Sequence, residues 1–527
     1  MPIKWYSKID LMKHLREFTI VILIILVATI FRLYKLDTFP PGLYPDEAMN
    51  GNNAIQAYET GEYKIFYPEN NGREGLFIAI QALSIQAFGN IAYALRFVSA
   101  IAGILTVLGL YFLAKKLFNW QIASIASFLM ATSFWHVTFS RIGFRAIMAP
   151  LLIVWGAYFF WKGLSTARWH HFAISAIFWG LGFYTYISFR VMPGAIIAAL
   201  LAYWYAIKKD FSHDRYIHAR NRITQGLAVF MLVGGVVIFP LAYHFYLQPE
   251  DFLGRVTQVS IFSQDNPLKI LATNFGKTLG MFNFVGDHNW RHNFAGRPIL
   301  FLPVGIFFIL GFFKSILRLE RSRKMHGHFS PPHVFLFSWF FLGLLPVILS
   351  AEGIPHSLRA IVVVPVVYIF TAEGLWWIFE WSRDHYRARS RQQNYLPFTH
   401  HHIAQSTLAI SLALGAFLLA DAIYEFKTYF YDWGPNETVR ANFNQNYVDI
   451  ADRLNALPRT KVKYVLVNAG GTLVNGIPMP AQTVMFLTDT WTPEKQQAKN
   501  IFYLNMEQYA QRRYLPNAIV IPLEEKK

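Results

Sequence analysis

Cysteine is absent from this chain, and charged residues are scarce. Without a thiol there is no disulfide, no haem attachment, no thiol nucleophile and no thiolate metal site, although the absence does not fix a redox compartment. Only 15% of the 527 residues are charged, whereas 54% are hydrophobic and 17% aromatic. That balance is too apolar for an ordinary soluble globular protein and suits a polytopic helical membrane protein. Low-complexity tracts and a convincing internal repeat are missing as well.

The charge that is present leans basic, with 48 Lys and Arg against 31 Asp and Glu and a net charge of +17. The positive residues fall in short runs between apolar segments, the pattern of cytoplasmic membrane loops. No basic stripe with interleaved aromatics stands apart from those loops, so nucleic acid is not an expected partner; the lipid bilayer is.

The basic start "MPIKWYSKIDLMKHLREF" leads into "TIVILIILVATIF" with no small-residue cleavage site after it. This reads as an uncleaved signal anchor with a cytoplasmic N-terminus. Candidate spans follow at 18–35, 91–114, 121–139, 146–163, 171–189, 191–207, 224–246, 299–317, 333–350, 358–381 and 404–424, each near the roughly 20 residues a crossing needs. Segment 76–89 is short for a full crossing and reads as re-entrant or interfacial, giving about 11 spans, or 13 on the widest count. The basic connectors 208–222, 314–324 and 383–391 then fall on the cytoplasmic side.

The other side receives 36–75, 247–298, 351–357 and everything after about 425. The fold expected is an all-α polytopic membrane module over 1–424 and a small extracytoplasmic α/β domain over 425–527. In the latter, "KVKYVLVNAGG", "QTVMFLTDT" and "NAIVIPLEE" read as strands, and "NYVDIADRLNAL" and "PEKQQAKNIFYLNMEQYAQRR" as helices. "NAGGTLVNG" reads as a plain turn, and the histidines at 400–402 as an interfacial cap before the last span. The localisation implied is multi-pass in the cell inner or plasma membrane.

Chemistry concentrates in the external segments. In the first, Asp46 and Glu47 open a helical run. Acidic residues at a helix start act as caps, but a cap needs one carboxylate. The same loop ends on Arg73 and Glu74. Asp46 and Glu47 are therefore candidate catalytic residues, and Arg73 and Glu74 candidate substrate contacts.

In "FVGDHNWRHNFAGRP", Asp287, His288, Arg291 and His292 lie within six positions, with Arg297 close behind. Arg291 and His292 are candidate substrate contacts. A divalent metal is left open, with Asp46, Asp287 and His288 as candidate ligands, although the spacing is not a standard ligand pattern. In "SAEGIPHSLRAIVVVP", Pro355 suits a first helical turn, which would put His356 and Arg359 on one face toward a phosphate. Arg145 and Tyr184, with Arg141, Tyr186 and Arg190, reach the same side and are candidates to line an amphipathic cavity.

Taken in order, "YPDEA", "GREGLF", "LRFVSAIAGILTVLGLYFLAKKLF", "HVTFSRIGFRAIMAP", "GLGFYTYISFR", "GDHNWRHN" and "EGIPHSLRAIVVVP" resemble the GT-C glycosyltransferases. The resemblance lies with the bacterial branch akin to protein O-mannosyltransferases and the lipid A aminoarabinose transferase, and covers roughly residues 15–430. It implies a GT-C-like helical bundle and transfer of a sugar from a polyprenyl-phosphate donor to a hydroxyl acceptor on the external face. It also implies Asp46 as catalytic base or metal contact, with Glu47 beside it. The aminoarabinose transferase has a Lys-Pro motif where this chain has "GREG", so that phosphate contact either passes to Arg73 or is lost. The alternative from another class is a transporter or lipid flippase for a phosphate-bearing or glycolipid substrate. That reading predicts ionisable residues near span midpoints and related halves.

Overall fold

The computed structural model describes residues 8–258, 260–392 and 399–524. The start of the expected anchor, residues 1–7, and the side chains at 400–402 lie outside the described residues.

The chain begins with α1 (Lys8–Leu33) and then leaves the bundle for α2 (Pro45–Thr60). Pro45 stands in the first turn of α2, and Gly61, at φ 75°, closes it, as expected of a Pro start and a left-handed glycine stop. A two-residue antiparallel ladder of β1 (Phe66–Tyr67) and β2 (Arg73–Glu74) returns the chain, with Tyr67 opposite Arg73. Then come α3 (Leu76–Phe88), α4 (Ala92–Leu117), α5 (Trp120–Thr132) and the short α6 (Phe134–Phe139). Four more follow as α7 (Met148–Thr166), α8 (Trp169–Gly182), α9 (Pro193–Asp210) and the 35-residue α10 (His213–Leu247).

After α11 (Pro249–Gln258) and α12 (Pro267–Gly280), an irregular stretch leads to α13 (Leu302–His326), α14 (Pro331–Ile348), α15 (Val364–Gln392) and α16 (Thr399–Lys427). Helices α13 and α15 meet backbone to backbone, since a Cβ on Gly311 would stand 1.7 Å from the Phe370 carbonyl oxygen and one on Gly374 2.1 Å from that of Phe307. Small residues allow this approach where lipid offers no hydrophobic drive between helices.

Among the described residues, nine helices are long and apolar enough to cross a membrane. Two of the eleven expected spans fall short: α5 has 13 residues and α8 has 14. At 1.5 Å per residue each covers about 20 Å of a roughly 30 Å core. A break at Ser133 bends α5 into α6. Helix α8 stops at Gly182, where an added Cβ would strike the Phe189 ring, and a 3-10 turn at Ile187–Val191 follows.

Helix α3 does not carry the chain across. Ser84 donates to the Ala94 carbonyl, and Ala92 shares a cavity with Asp37–Leu43, so both ends of α3 stay near the first loop. Lys115, late in α4, reaches Glu17, early in α1, at the opposite end. Among the described residues between 76 and 117, α4 alone is long and apolar enough to cross a membrane. His328, in the turn after α13, meets Asp210 of the 208–222 connector at 3.1 Å.

Helix α16 continues through a π-helical turn, Thr428–Trp433, and the strand-containing C-terminal region follows it. It comprises α17 (Glu437–Asn442), α18 (Gln445–Ala456), β3 (Lys463–Val467), β4 (Leu473–Val474), β5 (Ile477–Pro478) and α19 (Gln482–Thr488). The last elements are α20 (Pro493–Lys499), β6 (Ile501–Asn505), α21 (Met506–Ala510) and β7 (Ile519–Pro522). The sheet is parallel, in the order β6-β3-β7, with Lys463 opposite both Ile501 and Ile519.

Two expectations fail here. "QTVMFLTDT" is helix α19, buried against α18 and α2, so its β-branched and aromatic run serves packing rather than a ladder. "PEKQQAKNIFYLNMEQYAQRR" is not one helix: Asn500, at φ 50°, ends α20, and Asn505 caps α21, leaving "IFYLN" as the edge strand β6. "NAGGTLVNG" holds an Asn475-Gly476 turn, both at positive φ, between β4 and β5, the pairing a tight hairpin turn demands.

Candidate active site

Helix α2, the turn at 70–73, the segments after α6 and α8, and the loop after α14 converge on a cavity of about 130 Å³ lined by Asp46, Asn50, Asn70, Arg73, Phe144, Arg145, Tyr186 and Leu358. Its floor is one face of α2. Asp46, Asn50 and Asn53 are spaced four and three apart, so they share a face. The Asp46 carboxylate is half-buried and accepts one hydrogen bond, from the Asn70 amide at 2.6 Å.

Arg73 is held against the same face. Its two terminal nitrogens donate to the Asn50 and Asn53 side-chain oxygens, each at 2.7 Å, while its Nε has no partner. The residue is only 2% exposed. Burial first, then repulsion from Arg145, pushes its pKa down to about 10, with Asp46 and Glu69 opposing through space. The group stays charged at neutral pH. A buried guanidinium oriented by two neutral amides, with no direct ion pair among the described residues, leaves a positive field open to the cavity.

Glu74 orients two further cations. It pairs with Arg145 at 2.9 Å and with Arg190 at 3.6 Å. Arg145 also donates to the Gly72 carbonyl and lies over the Tyr186 ring. Glu74, expected to touch substrate, therefore works behind the cavity wall.

Glu47 needs a correction. It is fully buried and does not line the cavity. It pairs with Arg96 at 3.2 Å and accepts the backbone N–H groups of Gly143 at 2.6 Å and Tyr44 at 3.3 Å. Arg96 in turn holds the carbonyls of Pro40 and Gly42. The second carboxylate fixes the entry of α2 to α4 and the 140–147 turn, and losing one member of such a buried pair costs about 3–5 kcal/mol.

Tyr184 is also not a cavity residue. Pro240 interrupts α10 and leaves the ladder between Val237 and Leu241 open. The Tyr184 hydroxyl fills it, donating to the Val237 carbonyl at 2.7 Å and accepting from the Leu241 N–H at 3.2 Å. Tyr184→Phe is expected to lower stability by about 1–3 kcal/mol through these unpaired groups, as thermal unfolding in lipid nanodiscs would show. Arg141 departs from expectation too. Fully buried, it caps the end of α1 through the carbonyls of Phe31, Tyr34, Lys35 and Phe39.

The loops after α12 and after α14 are fastened together behind Leu358. Asp287 accepts from the Ser357 N–H and hydroxyl, both at 2.9 Å, from His292 Nδ1 at 3.2 Å and from the Asn289 N–H at 2.8 Å. Burial would raise this carboxyl, but the His292 hydrogen bond and the His292 and His356 charges outweigh it and hold it at about 2. Burial pushes His292 down, and His356 further, with His292 and Arg359 adding to the effect.

His356 and Arg359 do not sit on a helix. Residues 351–360 form bends and turns, and the helix starts only at Ile361, because Arg359 is tied back to Ser350 and to the Glu352 carbonyl. Arg291 stacks on Tyr44 at 3.9 Å, two residues before Asp46. Arg297 is committed to Glu425 at 3.1 Å.

Of the metal candidates, His288 is exposed and Asp46 joins no cluster among the described residues. The set that does form is Asp287, His292 and His356, with ligand atoms within 4.8 Å of one another. Its donor types suit a divalent cation, but a cation would have to displace the His292 proton from Asp287.

Sequence reading missed the amides. Asn50, Asn53 and Asn70 orient Arg73 and Asp46, and the signal for the first two was their helical spacing from Asp46.

These features define a multi-pass membrane protein whose loops build a cationic cavity around one carboxylate at one end of the bundle. It has the GT-C glycosyltransferase fold. A family model described as dolichyl-phosphate-mannose-protein mannosyltransferase matches residues 76–239. Among solved structures, the apo oligosaccharyltransferase of Archaeoglobus fulgidus superposes with a TM-score of 0.57 at 15% identity, over 95% of this chain and 66% of that one. The A. fulgidus oligosaccharyltransferase AglB bound to an inhibitory peptide and dolichol-phosphate gives 0.56 at 14%, over 90% and 64%. ArnT from Cupriavidus metallidurans bound to undecaprenyl phosphate gives 0.50 at 12%, over 96% and 92%. The chain thus spans just under two thirds of the archaeal enzymes and nearly all of ArnT. No curated protein matches this sequence.

Proposed function

We propose that this protein is an integral-membrane glycosyltransferase that moves a sugar from a polyprenyl-phosphate donor to a hydroxyl acceptor on a protein, lipid or envelope glycan. The observation that carries the reading is Arg73, a buried cation in the lining of the cavity that holds Asp46, with Arg145, held by the flanking Gly72 and Glu74, lining it too.

A place for the lipid adjoins it. An apolar hollow of about 410 Å³ lies between the α8–α9 break and α10–α11, lined by Phe183, Ile238, Leu241, Phe245 and Phe252 with Arg190 at its polar edge. Glu74 links Arg190 there to Arg145 in the cavity. Another apolar hollow, between α1 and α16, has Lys427 at its rim and shares no residue with the cavity.

In the reaction the acceptor oxygen attacks the anomeric carbon as the carbon–oxygen bond to phosphate breaks. Asp46 takes the hydroxyl proton. The polyprenyl phosphate leaves with the bonding electrons, its charge met by Arg73 and Arg145. Attack opposite the phosphate inverts the anomeric centre, and the phosphate needs no general acid. A divalent cation, if one is used, would be held by Asp287, His292 and His356 and would add positive charge there. The proposed orientation has a cytoplasmic N-terminus, with the cavity and C-terminal domain outside the inner or plasma membrane, and is supported by the basic connectors.

The test is a panel of polyprenyl-phosphate sugars offered to the purified protein in nanodiscs, reading released polyprenyl phosphate. Release with at least one donor is the expected result. Donor flipping in liposomes without release would replace this reading with the transporter.

A further inference from the structure

Helix α2 has two working faces. One carries Asp46, Asn50 and Asn53 toward the cavity. The other, through Ala48, Gly51, Asn52 and Ile55, is packed against the C-terminal domain, chiefly α19. The contact is close. The fully buried Phe486 ring of α19 lies over Gly51, where an added Cβ would stand 2.5 Å from one ring carbon and 3.1 Å from Leu95.

Polar contacts flank it. The Asn52 amide donates to the Gln482 carbonyl at 3.2 Å and to its side-chain oxygen at 2.9 Å. Thr483 donates to the Leu43 carbonyl at 2.9 Å, one residue before the N-cap of α2. Gly42, at φ 72°, passes so near the domain that a Cβ would sit 2.3 Å from the Phe443 carbonyl oxygen. At the far end of α2, Glu59 pairs with Lys495 at 2.5 Å.

We infer that the C-terminal α/β domain is a positioning element of the catalytic unit: α19, through Phe486 on Gly51 and Gln482 on Asn52, sets where α2 holds Asp46 and the Arg73 cradle. None of these α19 residues lines the cavity. The helix is a single rigid rod between the two faces, so a shift on one face moves the other. A displacement near 1 Å in a catalytic group costs up to about a hundredfold in rate. The inference rests on Asp46 as the base.

The experiment compares the full chain with Gly51→Ala and with Gly51→Ala combined with Phe486→Leu, which trims the ring that the new methyl would strike. Donor turnover and backbone hydrogen exchange over residues 48–58 are both read. Gly51→Ala is expected to lower kcat about tenfold with little change in donor KM, and the double variant to recover to within about threefold of the parent, as contacting pairs couple rather than add. Exchange over α2 should quicken in the single variant and slow again in the double.

Additive losses, or a Gly51→Ala protein with unchanged kcat and exchange, would overturn the inference. If the parent protein turns over no donor, the donor reading fails by itself, and the exchange pattern still decides whether α19 positions α2. Should Gly51→Ala not accumulate, Gln482→Ala replaces it, with faster α2 exchange and lower kcat expected and unchanged values overturning.

Discussion

Asp46→Asn should reduce sugar transfer about a thousandfold, the middle of the range for losing a positioned general base, while the protein remains folded and binds donor as before. The substitution is close to isosteric. The oxygen that accepts from Asn70 at 2.6 Å is retained, and the half-buried side chain has no ion pair among the described residues to lose. What disappears, on the proposed mechanism, is the carboxylate that takes the proton from an acceptor hydroxyl, whose own pKa lies far above neutrality. The measurement is single-turnover release of polyprenyl phosphate, alongside a donor-binding isotherm. Sugar transfer at the parent rate would remove Asp46 from the mechanism and shift attention to a base carried by the acceptor itself.

The neighbouring carboxylate shows how far sequence reasoning reaches. "PDEA" announced two acids at a helix start and could not say which way each pointed. One helical step, about 100°, turns Glu47 away from the cavity toward Arg96 and the Gly143 N–H. The Tyr44 N–H three residues back is a local capping contact, but these two partners come from 49 and 96 residues away in sequence, and no local pattern contains them.

The apolar spans were legible because a run of about 20 apolar residues has few alternatives in lipid. The bends at Ser133 and Gly182 were not, since they follow from tertiary contacts such as Phe189 against Gly182. Tyr184 and Arg141 looked like site residues for the same reason that buried polar groups in general do. Only the structure shows each one satisfying backbone groups, at a proline break in one case and at a helix end in the other. In the C-terminal part, β3 and β7 read correctly from β-branched runs. The edge strand β6 was hidden because Asn500 and Asn505 look polar and helical until their cap geometry is seen.

Arg73→Gln is the second large expected effect and separates leaving-group stabilisation from proton removal. The loss in kcat should be about 10²–10³-fold, the range seen when a group aimed at developing negative charge is removed. Donor KM should rise too, because on the proposed mechanism Arg73 meets the phosphate before and after bond breaking. Stability should change little: two asparagine oxygens lose their donors, but a buried charge is also removed. Arg73→Lys should not restore activity, since one ammonium does not reproduce the planar fork that reaches Asn50 and Asn53 together. The diagnostic measurement is inhibition by free polyprenyl phosphate, which should weaken at least about tenfold in Arg73→Gln if the lost contact is a charge-assisted bond to phosphate. The same inhibition should persist in Asp46→Asn. Equal inhibition in both variants would mean that the lipid phosphate lies elsewhere, and the cationic cavity would then have to be read as a site for the acceptor.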